Sequence, residues 1–166
     1  MIFFTATINS WQNLLENNKI KDLLIDSMSW LVENKKAKIN AFVIMPNHIH
    51  IIWVSLENGY DIAGRFKSFT GSAIKKYLEE NNAAMLANYQ STQSDRSYHI
   101  WERRSKSIEI NTREIASQKV AYIHQNPLQE KWKLVEIEED YIYSSAAFYL
   151  GENTKYKFLE RYEDWI

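Results

Sequence analysis

Two histidines, His48 and His50, flank a single isoleucine in the run Met45-Pro46-Asn47-His48-Ile49-His50. On an extended strand side chains alternate with a period of two, so both imidazoles leave the same face. Imidazole is the commonest metal-binding side chain, and two on one face make half of a metal site. Further along, Gln118, Tyr122 and Asn126 recur every fourth residue and project from one side of a helix. Tyr122 and Asn126 then stand ~6 Å apart along the axis, at a rise of ~1.5 Å per residue. An amide oxygen can complete a site for a hard cation. A tyrosine one turn away could attack a phosphate held on that cation.

The surrounding pattern says what must position these groups. Residues 2–8 read as an opening strand, and Ser10 as the N-cap of a helix over residues 11–34, interrupted at Asn17-Asn18. Ile20, Leu24, Met28 and Leu31 form its apolar stripe. Residues 38–45 and 48–55 form two strands joined tightly at Pro46-Asn47, with Ile49, Ile51 and Trp53 opposite the histidines and packed beneath the helices. A second helix spans residues 61–80, its inner face made of Ile62, Phe66, Phe69, Ala73 and Tyr77. Residues 81–97 are polar and read as a loop or a frayed extension of that helix.

A fourth strand lies within residues 98–110. Asn111 and Glu114 have the spacing of a capping box, opening a helix that ends near Gln125 because Pro127 disfavours helical geometry before it. The order is strand, helix, strand, strand, helix, strand, helix. The predicted class is α+β: a ferredoxin-like βαββαβ core with an antiparallel sheet and an added C-terminal helix carrying the tyrosine. The histidine hairpin is expected to supply the central strands, and residues 1–166 to form one domain.

With no cysteine the chain has no disulfide framework, thiolate ligand or thiol nucleophile. It has no long apolar run and no signal-peptide pattern, which points to a soluble, intracellular protein. Net charge is −1, so any nucleic-acid surface must be local. Basic residues cluster at Lys35, Lys36 and Lys38, at Arg65, Lys67, Lys75 and Lys76, and at Arg103, Arg104 and Lys106. Acid gathers in residues 136–140. Aromatic residues, 14% of the chain, could serve the core or stack on unpaired bases.

Taken with Tyr122-Ile123-His124-Gln125-Asn126-Pro127, the histidine motif resembles the single-tyrosine transposases of the HUH nuclease superfamily, and among them the REP-associated tyrosine transposases. Phe66-Lys67-Ser68-Phe69-Thr70-Gly71, Ile100-Trp101-Glu102 and Tyr141-Ile142-Tyr143-Ser144-Ser145 extend the resemblance over residues 2–150. The resemblance implies that His48, His50 and Asn126 are metal ligands and Tyr122 the nucleophile. The cofactor would be Mg²⁺ or Mn²⁺, with Mn²⁺ suiting imidazole better. It implies transesterification of single-stranded DNA beside hairpins through a 5′-phosphotyrosine intermediate. The protein would be a bacterial cytoplasmic, nucleoid-associated monomer or homodimer, with no membrane partner.

A free phenol titrates near ~10, so a tyrosine nucleophile needs help at the moment of attack. Gln118 and Lys119, one turn before it, stand where they could position the phenol or contact DNA. Arg65, Lys67, Arg103 and Arg104 are candidate phosphate contacts. His99 and His124 lie outside the metal-binding pattern and read as structural. Residues 128–132 (Leu-Gln-Glu-Lys-Trp) depart from the small and basic residues common in the family and bring an acid, Glu130, close to the site. Two other readings stay open: a domesticated, cleavage-inactive hairpin-binding protein of the same fold, and a hydrolase of small phosphoesters with water as nucleophile.

Overall fold

The structure is a computed structural model that describes residues 1–91, 97–151 and 155–166. Its elements are β1 (Ile2–Thr7), α1 (Asn18–Glu33), β2 (Ala37–Ile44), β3 (His48–Ser55), α2 (Ile62–Asn81), the short α3 (Ala83–Ala87), β4 (Lys106–Glu109), α4 (Arg113–Gln125) and α5 (Ala146–Tyr149). The strands hydrogen-bond in the order β2-β3-β1-β4, every neighbouring pair antiparallel. This is the expected ferredoxin-like α+β arrangement, with the tyrosine on the helix that follows the last strand. One detail differs. The histidine hairpin supplies a single central strand, β3, because β1 inserts on its other side and leaves β2 at the edge.

Alternation divides the sheet's two faces. Trp53 stacks on Phe4 with ring centroids 4.7 Å apart, and both meet Phe66 of α2 edge-on, at 5.7 and 6.4 Å. Such aromatic pairs contribute roughly 0.5–1.5 kcal/mol each beyond the area they bury. On the opposite face Phe3 stacks on His50 at 5.1 Å, beneath the helix that carries the tyrosine. The separation predicted for Ile49, Ile51 and Trp53 holds: all three are buried, and the histidines point away from them.

Helix boundaries moved where local chemistry competed. Ser10 caps nothing: its backbone is left-handed, with φ 56°, and its N–H donates to Glu102 Oε1 at 2.7 Å. The helix begins after the Asn17-Asn18 break, with the Asn17 side chain accepting from the Lys19 N–H at 2.9 Å. On α2 the buried stripe is Ile62, Phe66, Thr70, Ile74 and Leu78. Phe69 is 63% exposed, while Ala73 and Tyr77 are half-buried. Thr70 can sit in the core because its hydroxyl donates to the Phe66 carbonyl at 2.6 Å and accepts from Trp101 Nε1 at 3.0 Å.

The tyrosine helix is capped by Thr112, whose hydroxyl accepts from the Ile115 N–H at 3.3 Å, one residue later than Asn111. Within residues 81–97, α3 forms on an Asn82 cap; residues 92–96 lie outside the described ones. Among the described residues no helix is long and apolar enough to cross a membrane.

The C-terminal segment closes the outer edge of β2. Ile44 N–H donates to the Tyr143 carbonyl at 2.9 Å, and Ser145 N–H to the Phe42 carbonyl at 3.0 Å. A register shift lies between Ile39 and Ala41. The intervening Asn40 is clasped from the same side, its side-chain amide nitrogen donating to the Glu160 carbonyl at 3.2 Å and its backbone carbonyl accepting from Tyr149 Oη at 3.0 Å.

Candidate active site

Cross-strand register sets the site. His48 lies opposite Thr7 and His50 opposite Thr5 on β1, and the helix above buries both rings to 6% and 5% exposure. The imidazole centroids are 4.8 Å apart. Each ring has one nitrogen engaged from behind. His48 Nδ1 meets Asn47 Oδ1 at 2.7 Å, and His50 Nδ1 meets Thr5 Oγ1 at 2.8 Å. Asn47 donates its own amide to the Trp11 carbonyl at 3.2 Å, so its oxygen faces the ring. The neutral His48 ring therefore carries its proton on Nδ1 and offers a lone pair at Nε2.

Asn126 comes from the opposite side, at the last turn of α4. Its Nδ2 donates to the Tyr122 carbonyl at 2.8 Å, which leaves the oxygen for His48, the ring it reaches. The Asn126 side chain and the His48 ring are thus hydrogen-bonding neighbours. His50 Nε2 is buried without a hydrogen-bond partner. A buried ring nitrogen without a partner is unfavourable unless a hydrogen-bond partner or a cation meets it. Among the described residues no three His, Asp or Glu side chains group to hold a metal ion, so a cation here would need the amide. Two imidazoles and one amide oxygen suit Mn²⁺ or Mg²⁺ and leave positions open for substrate oxygens. The residues fit the group.

Electrostatics keep the donors available. Burial, aided by the Lys131 charge, lowers the His48 pKa to about 4. Burial, then the neighbouring His48, Lys119 and Lys131, lowers His50 to about 3. Both rings are neutral near pH 7, as ligands must be. In the segment singled out for Glu130, the charge felt at the histidines is that of Lys131, and the Trp132 ring stands 6.0 Å from His48.

Tyr122 projects over the same place. Its ring centroid is 5.3 Å from His50 and 6.1 Å from Phe3, yet the side chain is 43% exposed. Lys119, one turn earlier, holds its ammonium 5.2 Å from the Phe3 ring. The structure therefore brings His48, His50, Asn126, Tyr122 and Lys119 together. Gln118 is exposed on the same helix.

Arg65, Lys67 and Arg103 do not join them, and Arg104 is exposed. Arg65 lies over the Tyr60 ring at 4.8 Å. Lys67 donates to the carbonyls of Glu102 and Arg103 at 2.8 and 3.0 Å. Lys67 and Arg103 line a groove of about 860 Å³ between α2 and residues 97–107, on the side of the sheet away from the histidines. His99 lines the same groove. His124 turns from the site, its Nε2 bonded to Ser145 Oγ at 2.9 Å. Thr5 and Asn47, which fix the two imidazoles, were not singled out from sequence. Asn47 was legible as a side chain adjacent to His48, but Thr5 only through strand register.

No protein-family model matches the chain. Over 130 residues, 78% of this chain and 67% of the other, it is 25% identical to the REP-associated tyrosine transposase of Escherichia coli (strain K12). It also superposes, at TM-score 0.64 and 20% identity, on a REP-associated tyrosine transposase solved bound to a REP hairpin, covering 96% of this chain and 90% of that one. In sequence and in fold, this chain resembles the REP-associated tyrosine transposases.

Proposed function

We propose that the chain, acting as one domain, is a single-stranded DNA endonuclease and strand transferase that cleaves beside DNA hairpins. The observation that carries this reading is Tyr122, exposed to incoming substrate while its ring lies 5.3 Å from His50, beside the buried and partnerless His50 Nε2. The similarity to a hairpin-bound transposase fold supports the choice of DNA.

In this reading His48, His50 and Asn126 hold a divalent cation, Mg²⁺ or Mn²⁺, which when bound supplies Lewis-acid polarisation of the scissile phosphate. Asn47 and Thr5 hold the imidazoles in orientation from behind. Tyr122 Oη attacks phosphorus in line. The phosphorus–O3′ bond breaks, the 3′-oxygen leaves as a hydroxyl, and the phenol proton passes to solvent. A 5′-phosphotyrosine ester remains, keeping the phosphodiester energy for rejoining to another 3′-hydroxyl. The Lys119 ammonium, on the same helix, balances negative charge at the phosphate.

The test is a denaturing gel after incubation with Mn²⁺ and labelled hairpin DNA drawn from sequence flanking the gene. A covalent protein–DNA band in wild type, absent in Tyr122→Phe and His48→Ala, is expected. Cleavage persisting in Tyr122→Phe would replace the tyrosine with a water nucleophile. Hairpin binding with no band under any metal would leave a cleavage-inactive binding protein.

A further inference from the structure

Trp11 is the most exposed large apolar side chain among the described residues, at 64%. It does not hang from a slack loop. Ser10 and Trp11 both hold left-handed backbone, with φ 56° and 57°, which is uncommon for two consecutive non-glycine residues. Four hydrogen bonds maintain the turn. Asn9 N–H donates to the Ile100 carbonyl at 2.8 Å and Trp11 N–H to the Ile8 carbonyl at 2.9 Å. Ser10 N–H donates to Glu102 Oε1 at 2.7 Å, and Asn47 Nδ2 donates to the Trp11 carbonyl at 3.2 Å. An indole is thus presented to solvent on a backbone tied down from three directions.

The last of those bonds gives the turn its place. The same Asn47 side chain that holds the Trp11 carbonyl meets His48 Nδ1 at 2.7 Å. Trp11 is therefore one side chain removed from the catalytic donor set, at the end of the sheet where His48 lies. An exposed, flat aromatic face on a fixed turn, linked through Asn47 to the proposed reactive centre, matches a single strand whose unpaired bases need a surface to stack on.

We propose that Trp11 is a stacking platform for an unpaired nucleobase next to the phosphate that Tyr122 attacks, and that Asn47 couples this base-holding turn to His48. The proposal rests on the strand-cleavage reading above. The rigid turn pre-organises the indole, so stacking costs little conformational freedom on binding. Stacking is indifferent to base identity, because every base has a flat face. Trp11 accordingly sets where the unpaired strand lies rather than which sequence it carries.

The test uses fluorescence anisotropy with two probes, a hairpin bearing a single-stranded extension and the same hairpin with blunt ends. Trp11→Ala should weaken binding of the extended hairpin by roughly 5- to 150-fold, the range for loss of one base–aromatic stack. Trp11→Tyr should restore most of it, and all three proteins should bind the blunt hairpin alike. Equal binding of the extended hairpin by Trp11→Ala and wild type, with the Tyr122 adduct still forming, would overturn this inference alone. Equal weakening on both probes would overturn it too, by assigning Trp11 to the fold or to duplex contact. A wild-type protein that neither binds these probes nor forms an adduct would sink the cleavage reading and this inference together.

Discussion

The side-chain nitrogen of Asn126 donates to the backbone carbonyl of Tyr122 across 2.8 Å. The bond lies within one helical turn, yet it orients the Asn126 oxygen toward His48 and finishes the helix that presents the phenol. A single amide serves two purposes, and its two atoms can be tested apart. Asn126→Ala removes both, and adduct yield should fall by more than the 10–100-fold typical of losing an outer partner of a metal ligand. Asn126→Asp keeps an acceptor and adds charge, so Mn²⁺ should bind more tightly than to Asn126→Ala by isothermal titration. Equal Mn²⁺ affinity in the two variants would remove Asn126 from the donor set.

Thr5 offers a quieter test of the same centre. Its hydroxyl is 2.8 Å from His50 Nδ1, and Thr5→Val keeps the shape while deleting that partner. Mn²⁺ affinity should drop by about 10–100-fold, with thermal stability changed far less than for a core truncation. An unchanged affinity would mean that Phe3 stacking alone orients the ring.

Stability should depend on Ser145 more than its size suggests. Its hydroxyl accepts from Phe42 N–H at 3.0 Å, donates to the Phe42 carbonyl at 3.2 Å and meets His124 Nε2 at 2.9 Å. Ser145→Ala would leave buried polar atoms of β2 and α4 without partners, at about 2–3 kcal/mol. For a chain of this length the melting temperature should fall by roughly 5–10 °C. At permissive temperature adduct formation should persist, since His124 faces away from Tyr122.

Alkaline pH should loosen the fold through its buried phenols. Burial pushes Tyr89 up to about 12 and raises Tyr141, Tyr149 and Tyr156 as well. An unfolded phenol ionises near ~10. Above that the unfolded chain sheds protons that the folded chain keeps, so stability is full below about pH 10 and declines as pH rises toward the folded values. Urea midpoints measured from about pH 8 to about pH 11 should be flat, then falling. A flat profile throughout would mean that these phenols ionise inside the fold.

The histidine strand was the most legible element, because alternation over residues 48–53 is a local rule with one outcome. The resemblance to the transposases and the order of elements led to the observed fold class, though not to the place of β2 at the sheet edge. What local rules missed was decided by partners distant in sequence. Phe69 reads as core from its place on the inner face of the helix, whereas Thr70 occupies the core because Trp101 supplies its hydrogen bond. Ser10 reads as a cap until Glu102 draws its N–H elsewhere. The basic residues read as one DNA-contact set, yet a sheet separates Lys67 from Lys119. Thr5 behind His50 is a matter of strand register, which no window of sequence around either residue contains.

The clasp on β2 also has a history in time. Phe42 and Ser145 are separated by 103 positions. At about 5–20 residues per second, a ribosome would complete β2 roughly 5–20 s before Ser145 is made. Throughout that interval the outer row of N–H and C=O groups on β2 is an open template for any neighbouring nascent chain. The buried Asn40 at the register shift is then a safeguard as well as an anchor. It interrupts the regular ladder on the edge that waits longest for its own partner, making a foreign strand harder to zip along it.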